Sequence, residues 1–201
     1  MKPITGLFAV VIAVGIAAPA QALPNYIESK GVTYVGNPSP PPGRVSALIT
    51  STGAPLWTTV LAGAAPDLIL SLALDKDVLY VTGYSESVAT NTGFVWALDA
   101  VTGQILWLTR LTGGGIYSSA IVSKGVLYVA GGAASGQSRT SAVDATTGAI
   151  IWQANTVPVF SSPTIAKDTV VLASGGFPGI PTFLIVLDAT TGQLLLSTPV
   201  P

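Results

Sequence analysis

The chain has 201 residues, of which 49% are apolar and only 8% charged, with eight Lys+Arg against nine Asp+Glu and a formal net charge of −1. A balance so near neutrality leaves no basic footprint for nucleic acid and no acidic tail. The absence of cysteine excludes disulfides and thiolate chemistry, and the absence of histidine removes the commonest general base and metal ligand.

Taken in chain order, the first segment is an address. Met1 and Lys2 supply a short positive start, residues 4–18 form an apolar run, Pro19 breaks it, and Ala20-Gln21-Ala22 follows. That order describes a secretory signal peptide cleaved after Ala22. An uncleaved anchor is the weaker reading, because a spanning helix needs about 20 apolar residues and Pro3 and Pro19 bracket this run. Residues 1–22 are therefore set apart, and the protein is expected to be exported to the periplasm or beyond the cell. Residues 23–201 keep seven basic and nine acidic side chains, and no later segment is long and apolar enough to span a bilayer.

The remainder is one unit written four times. Residues 47–57 (ALITSTGAPLW), 97–107 (ALDAVTGQILW), 142–152 (AVDATTGAIIW) and 186–196 (VLDATTGQLLL) align, with the repeated glycine at Gly53, Gly103, Gly148 and Gly192. A second element recurs upstream at Lys30, Lys76, Lys124 and Lys167, each followed by a strand-forming run such as Val126-Leu-Tyr-Val129. A period of about 45 residues marks a propeller, solenoid or array. Each repeat reads as four short antiparallel strands. The leading one ends at the Lys turn, the β-branched run is the second, and residues such as 94–98 and 104–109 form the third and fourth. Runs such as 105–108 are apolar on both faces, as in a sheet covered on both sides. The expected blades are about 23–62, 63–112, 113–156 and 157–201.

The hairpin between the third and fourth strands explains its own residues. Asp99, Asp144 and Asp188 can accept hydrogen bonds from amides two and three positions on, closing an Asx turn. Gly53, Gly103, Gly148 and Gly192 supply positive φ in the loop. Read this way, the aspartates are turn caps rather than catalytic carboxylates, and Trp57, Trp107 and Trp152 are packing residues that dock on the following blade.

The pattern Ala-x-Asp-x-x-Thr-Gly-x-x-x-Trp, preceded by Val-Leu-Tyr-Val, resembles the pyrroloquinoline quinone (PQQ)-like β-propeller repeat across residues 23–201. The two central copies match fully, whereas Ile49 replaces the Asp of the first copy and Leu196 the Trp of the last. The resemblance implies an all-β propeller of four-stranded blades: a closed four-blade ring, an open arc that pairs with a second copy, or part of a larger propeller. Some members of the family are quinoprotein dehydrogenases that hold the quinone and calcium on the axis. Others are non-catalytic scaffolds, including a periplasmic component of outer-membrane protein assembly. The large dehydrogenases carry an adjacent-cysteine disulfide beside the quinone, which this cysteine-free chain cannot form. No catalytic, cofactor or metal residue carries over position by position.

In such a propeller the Lys turns and Asp hairpins share one face, and the opposite face receives the irregular loops 37–44, 84–92, 131–139 and 175–182. That second face carries Arg44, Arg110 and Arg139 with Asp67 and Glu86, the candidate partner-binding residues. Loops held on a repeat scaffold are where binding concentrates, and arginine grips carboxylates in a fixed geometry. The reading is a non-catalytic binding or scaffold module outside the cytoplasm, without cofactor, whose partner is an envelope protein or a second copy. The alternative is a PQQ- and calcium-dependent oxidoreductase or a fragment of one.

Overall fold

β-Branched and aromatic residues broken every few positions by Gly, Asp or Lys turns give strands and no helix among the described residues of the computed structural model. These residues are 25–37, 42–61, 68–85, 92–112, 115–116, 118–132, 138–157, 159, 161–174 and 181–200. Residues 1–22, Asp67 and Glu86 lie outside them, as does half or more of each irregular loop.

Four antiparallel sheets follow one another. The first is β1 (Asn25–Ser29), β2 (Val32–Asn37), β3 (Arg44–Ile49) and β4 (Pro55–Val60), paired in that order. The second is β5 (Leu68–Asp75), β6 (Val78–Ser85), β7 (Thr92–Asp99) and β8 (Ile105–Leu111). The third departs from four strands: β9 (Gly115–Ile116) and β10 (Ile121–Ser123) both pair with β11 (Val126–Gly132), which pairs with β12 (Ser138–Asp144) and then β13 (Ile150–Thr156). The extra strand is a split leading strand, since Ser118 lies in the gap and its Oγ accepts the Ala130 amide at 2.9 Å. The fourth sheet is β14 (Thr164–Ala166), β15 (Thr169–Ser174), β16 (Thr182–Asp188) and β17 (Leu194–Val200).

Packing runs between sheets rather than through one centre. Tyr34, Val45, Ala47 and Leu61 of blade 1 bury against Leu79, Val81, Trp96 and Leu98 of blade 2. Tyr80, Val95 and Ala97 of blade 2 meet Leu127, Val129 and Val143 of blade 3. Tyr128, Ala142 and Trp152 of blade 3 meet Val170, Leu172, Ile185 and Leu187 of blade 4. A buried Leu or Val stabilises by about 1.5–3 kcal/mol, so these three junctions hold the fold. The leading strands touch in sequence, β1 to β5, β5 to β10 and β10 to β14. Among the described residues no core joins blade 4 to blade 1, and the four blades form an open arc.

Every blade turns between its first two strands at a lysine with positive φ, between 50° and 56° at Lys30, Lys76, Lys124 and Lys167. Positive φ is uncommon for a residue with a β-carbon, and the sequence reading placed the turn without foreseeing this backbone.

Candidate functional site

Three of the nine acidic side chains close the hairpins between third and fourth strands. Oδ1 of Asp99 accepts the Val101 amide at 3.0 Å, the Thr102 amide at 2.7 Å and the Thr102 hydroxyl at 2.9 Å. Asp144 and Asp188 do the same with Thr146 and Thr147, and with Thr190 and Thr191. The amide and hydroxyl of the following threonine hold each carboxyl below the usual carboxylate range, outweighing the opposing effect of desolvation. A carboxylate so held is a poor proton acceptor at neutral pH.

The glycine of each hairpin receives the tryptophan of the blade before it. A β-carbon on Gly103, Gly148 or Gly192 would fall 2.6–2.7 Å from the ring of Trp57, Trp107 or Trp152. The indole N–H groups donate to the carbonyls of Ala100, Ala145 and Ala189, at 3.1, 3.3 and 3.0 Å. The same three carbonyls accept the hydroxyls of Tyr34, Tyr80 and Tyr128. Each Tyr packs on its Trp with ring centres about 6 Å apart. The tyrosines were not singled out from the sequence, although they recur at the same place in three repeats. Gly53 has the same backbone, φ +69, but nothing lies within 4 Å of where its β-carbon would be.

The arginines read as a binding face part company. Arg139 bonds Asn155 of its own blade at 3.2 Å and reaches the Thr112 carbonyl, just past the last strand of blade 2, at 3.1 Å. It therefore ties two blades together. Arg44 begins β3 on the side of blade 1 that no other blade covers among the described residues, and Arg110 lies exposed on β8.

A different surface does repeat. In each blade the fourth strand carries a bulge at the residue before the docking position, leaving Leu56, Leu106, Ile151 and Leu195 opposite no partner. A bulge re-aims a side chain, and these four are 51%, 50%, 48% and 53% exposed. The outer strands therefore present an aliphatic row along the rim. Between blades 1 and 2, a cleft of about 340 Å³ opens beside Lys30, Leu56, Lys76, Asp77 and Val101. Its Lys30–Asp77 pair, at 3.8 Å, is solvated.

The family described as outer membrane protein assembly factor BamB matches residues 41–201. Outer membrane protein assembly factor BamB of Moranella endobia is 26% identical over 152 residues, which is 73% of this chain and 36% of that protein. The dehydrogenase subunit of the quinone-type alcohol dehydrogenase of Komagataeibacter europaeus is 32% identical over 124 residues, 52% of this chain and 17% of that one. Among solved structures, quinohemoprotein alcohol dehydrogenase from Comamonas testosteroni superimposes with a TM-score of 0.65 at 20% identity, over 87% of this chain and 34% of that one. The chain thus spans about a third or less of the length of these relatives.

Proposed function

The chain belongs to the outer membrane protein assembly factor BamB family of PQQ-like propeller repeats, and on that premise we infer that it works as a non-catalytic binding module of the cell envelope. The rim row carries the reading: four aliphatic side chains in equivalent bulges, each about half exposed, on strands with a free edge. The four recur at one position of the outer strand in every blade, and an edge strand offers unpaired amides and carbonyls to a partner chain. Asp99, Asp144 and Asp188 are engaged in turns, and Trp57, Trp107 and Trp152 in docking, which supports an architectural use of them. Export to the periplasm or beyond belongs to the same reading, as does an envelope protein as the partner.

The quinone dehydrogenase relatives prompt a second reading, which the donor set does not favour. At and just before the leading strands the polar groups brought together are hydroxyls: Ser71 accepts the Ala120 amide, and Ser162 accepts the Ser119 amide. Calcium takes six to eight oxygens, carboxylates prominent among them, and these engaged serines do not fit it. We therefore propose no PQQ or calcium.

The test is capture from an envelope extract by the purified protein against an L106D/I151D variant. Capture lost by a variant that melts like wild type supports the rim. Capture retained removes it. Tight stoichiometric uptake of PQQ with calcium, accompanied by dye-linked alcohol oxidation, would replace the scaffold reading with the enzymatic one.

A further inference from the structure

The four blades are not four equal copies; they alternate in pairs. Position by position, Arg44 of blade 1 corresponds to Phe94, Arg139 and Phe183 in the following blades, and Ser46 corresponds to Trp96, Ser141 and Ile185. Ser46 bonds Thr58 at 2.8 Å, and Ser141 bonds Gln153, which stands where Thr58 does, at 3.1 Å. The Lys turns alternate too. Lys30 pairs with Asp77 and Lys124 with Asp168, whereas Gly125 stands where an aspartate would face Lys76. Blades 1 and 3 thus present an Arg/Ser leading face, and blades 2 and 4 a Phe-bearing one.

Within the chain, the leading face of blade 3 is seated on the trailing face of blade 2, where Tyr80, Val95, Ala97 and Leu111 are buried. At the two ends of the arc the same two kinds of face are left without a neighbour among the described residues. The trailing side of blade 4 presents Val171, Leu184, Val186, Leu196 and Val200, none of them fully buried, with Leu196 and Val200 both 45% exposed. The leading side of blade 1 is of the Arg/Ser kind that accepts an even-numbered blade.

The differences from the inner junctions are matched. Where Tyr and Trp press on an alanine inside the chain, blade 4 offers the smaller Val171 and Leu196, and blade 1 the larger Thr50. On that face the Thr33 and Thr50 hydroxyls share a hydrogen bond at 2.9 Å, which uses one of their two donors and leaves the other for an acceptor on the docking blade. The Gly53 backbone that would receive Leu196 is already in the docking conformation. Its amide bonds the Ile49 carbonyl at 2.7 Å, as Gly103 bonds Asp99 at 2.8 Å.

We propose that blade 4 of one copy docks on blade 1 of a second copy, and blade 1 on blade 4 in return, closing two arcs into one ring. Lys167 would then face Gly31 as Lys76 faces Gly125. Two copies are the count that closes, because propellers run from about four to eight blades and a head-to-tail contact that does not close grows into a filament.

The experiment is light scattering on the purified protein with L196R and T50R, followed by pairwise cross-linking. The expected result is a dimer, with folded, cooperatively melting monomers from either variant, each melting below the dimer because association stabilises the native state, and a dimer regained on mixing them. In this cysteine-free background, L196C mixed with T50C should be joined by a short bismaleimide, and neither should link to itself. A monomeric wild type, an open polymer, or L196C linking to L196C overturns the proposal.

Discussion

Trp107 rests directly on Gly148: a β-carbon on that glycine would lie 2.7 Å from Cδ2 and Cε3 of the indole. Gly125, in the same blade, has a nearly equal φ, +78 against +74, but open space where its β-carbon would be. The pair separates backbone strain from contact. G125A should lose about 1 kcal/mol, the cost of a left-handed residue with a side chain. G148A should lose about 1–3 kcal/mol more, the cost of overpacking a filled site. Urea midpoints measure both, and equal losses would show that the ring contact contributes nothing.

A single carbonyl, that of Ala145, takes hydrogen bonds from the Tyr80 hydroxyl at 3.1 Å and from the Trp107 indole at 3.3 Å. Burial, and then the charges of Asp75 and Asp144, raise the Tyr80 pKa, so the phenol stays a donor. Y80F should cost about 0.5–1.5 kcal/mol, the net worth of one hydrogen bond. W107F loses ring area as well and should cost more. Because the two donors share an acceptor, the double variant should lose more than the sum by at least about 0.5 kcal/mol, since only then is the carbonyl left unpaired. Strict additivity in a double-mutant cycle would mean that water replaces both donors.

Acid should loosen the hairpins. The carboxyls of Asp99, Asp144 and Asp188 titrate below their usual range when folded, chiefly through the threonine amide that each accepts. A lowered folded pKa means that the stability they add is complete above the unfolded value of about 3.9 and is lost as pH falls through the folded value. The melting temperature should therefore decline from about pH 4 downward. In a D99N/D144N/D188N variant, which keeps the acceptor and loses the titration, that decline should be shallower. Parallel curves would place the acid sensitivity elsewhere.

The fold was legible because a 45-residue period repeats its turn chemistry in letters that have local causes. Asp99 and Gly103 act within five residues of one another, and composition alone suggests what such a turn needs. Trp57 could be read as a docking residue because Trp107 and Trp152 recur at the same place in the repeat. What escaped were relations across repeats. The Tyr34 hydroxyl matters only because the Ala100 carbonyl of the next blade lies against it. The rim row escaped because Leu106 reads as one more apolar strand residue until the bulge turns it outward. The alternation of Arg44 with Arg139, and of Phe94 with Phe183, stood in the sequence, but aligning four copies to one consensus averages a two-blade period away. Asp67 and Glu86, read as neighbours of the arginines, lie outside the described residues.

Arg44 and Arg139 occupy one repeat position and should nonetheless behave differently. The Arg139 guanidinium bridges Asn155 and the Thr112 carbonyl, so it holds blade 2 to blade 3. Arg44 begins the leading face of blade 1, where no second blade of the chain adjoins it among the described residues. R139A should therefore lower stability by about 1 kcal/mol, a charged hydrogen bond discounted for its exposure. R139K should recover little of it, because an ammonium lacks the planar fork that spans two acceptors. R44A should melt like wild type in an L196R chain, where association is blocked. Chemical denaturation of the three variants in that background decides the matter. Equal losses at the two arginines would mean that Arg139 acts within its own blade, and that the bond to Thr112 does not join the blades.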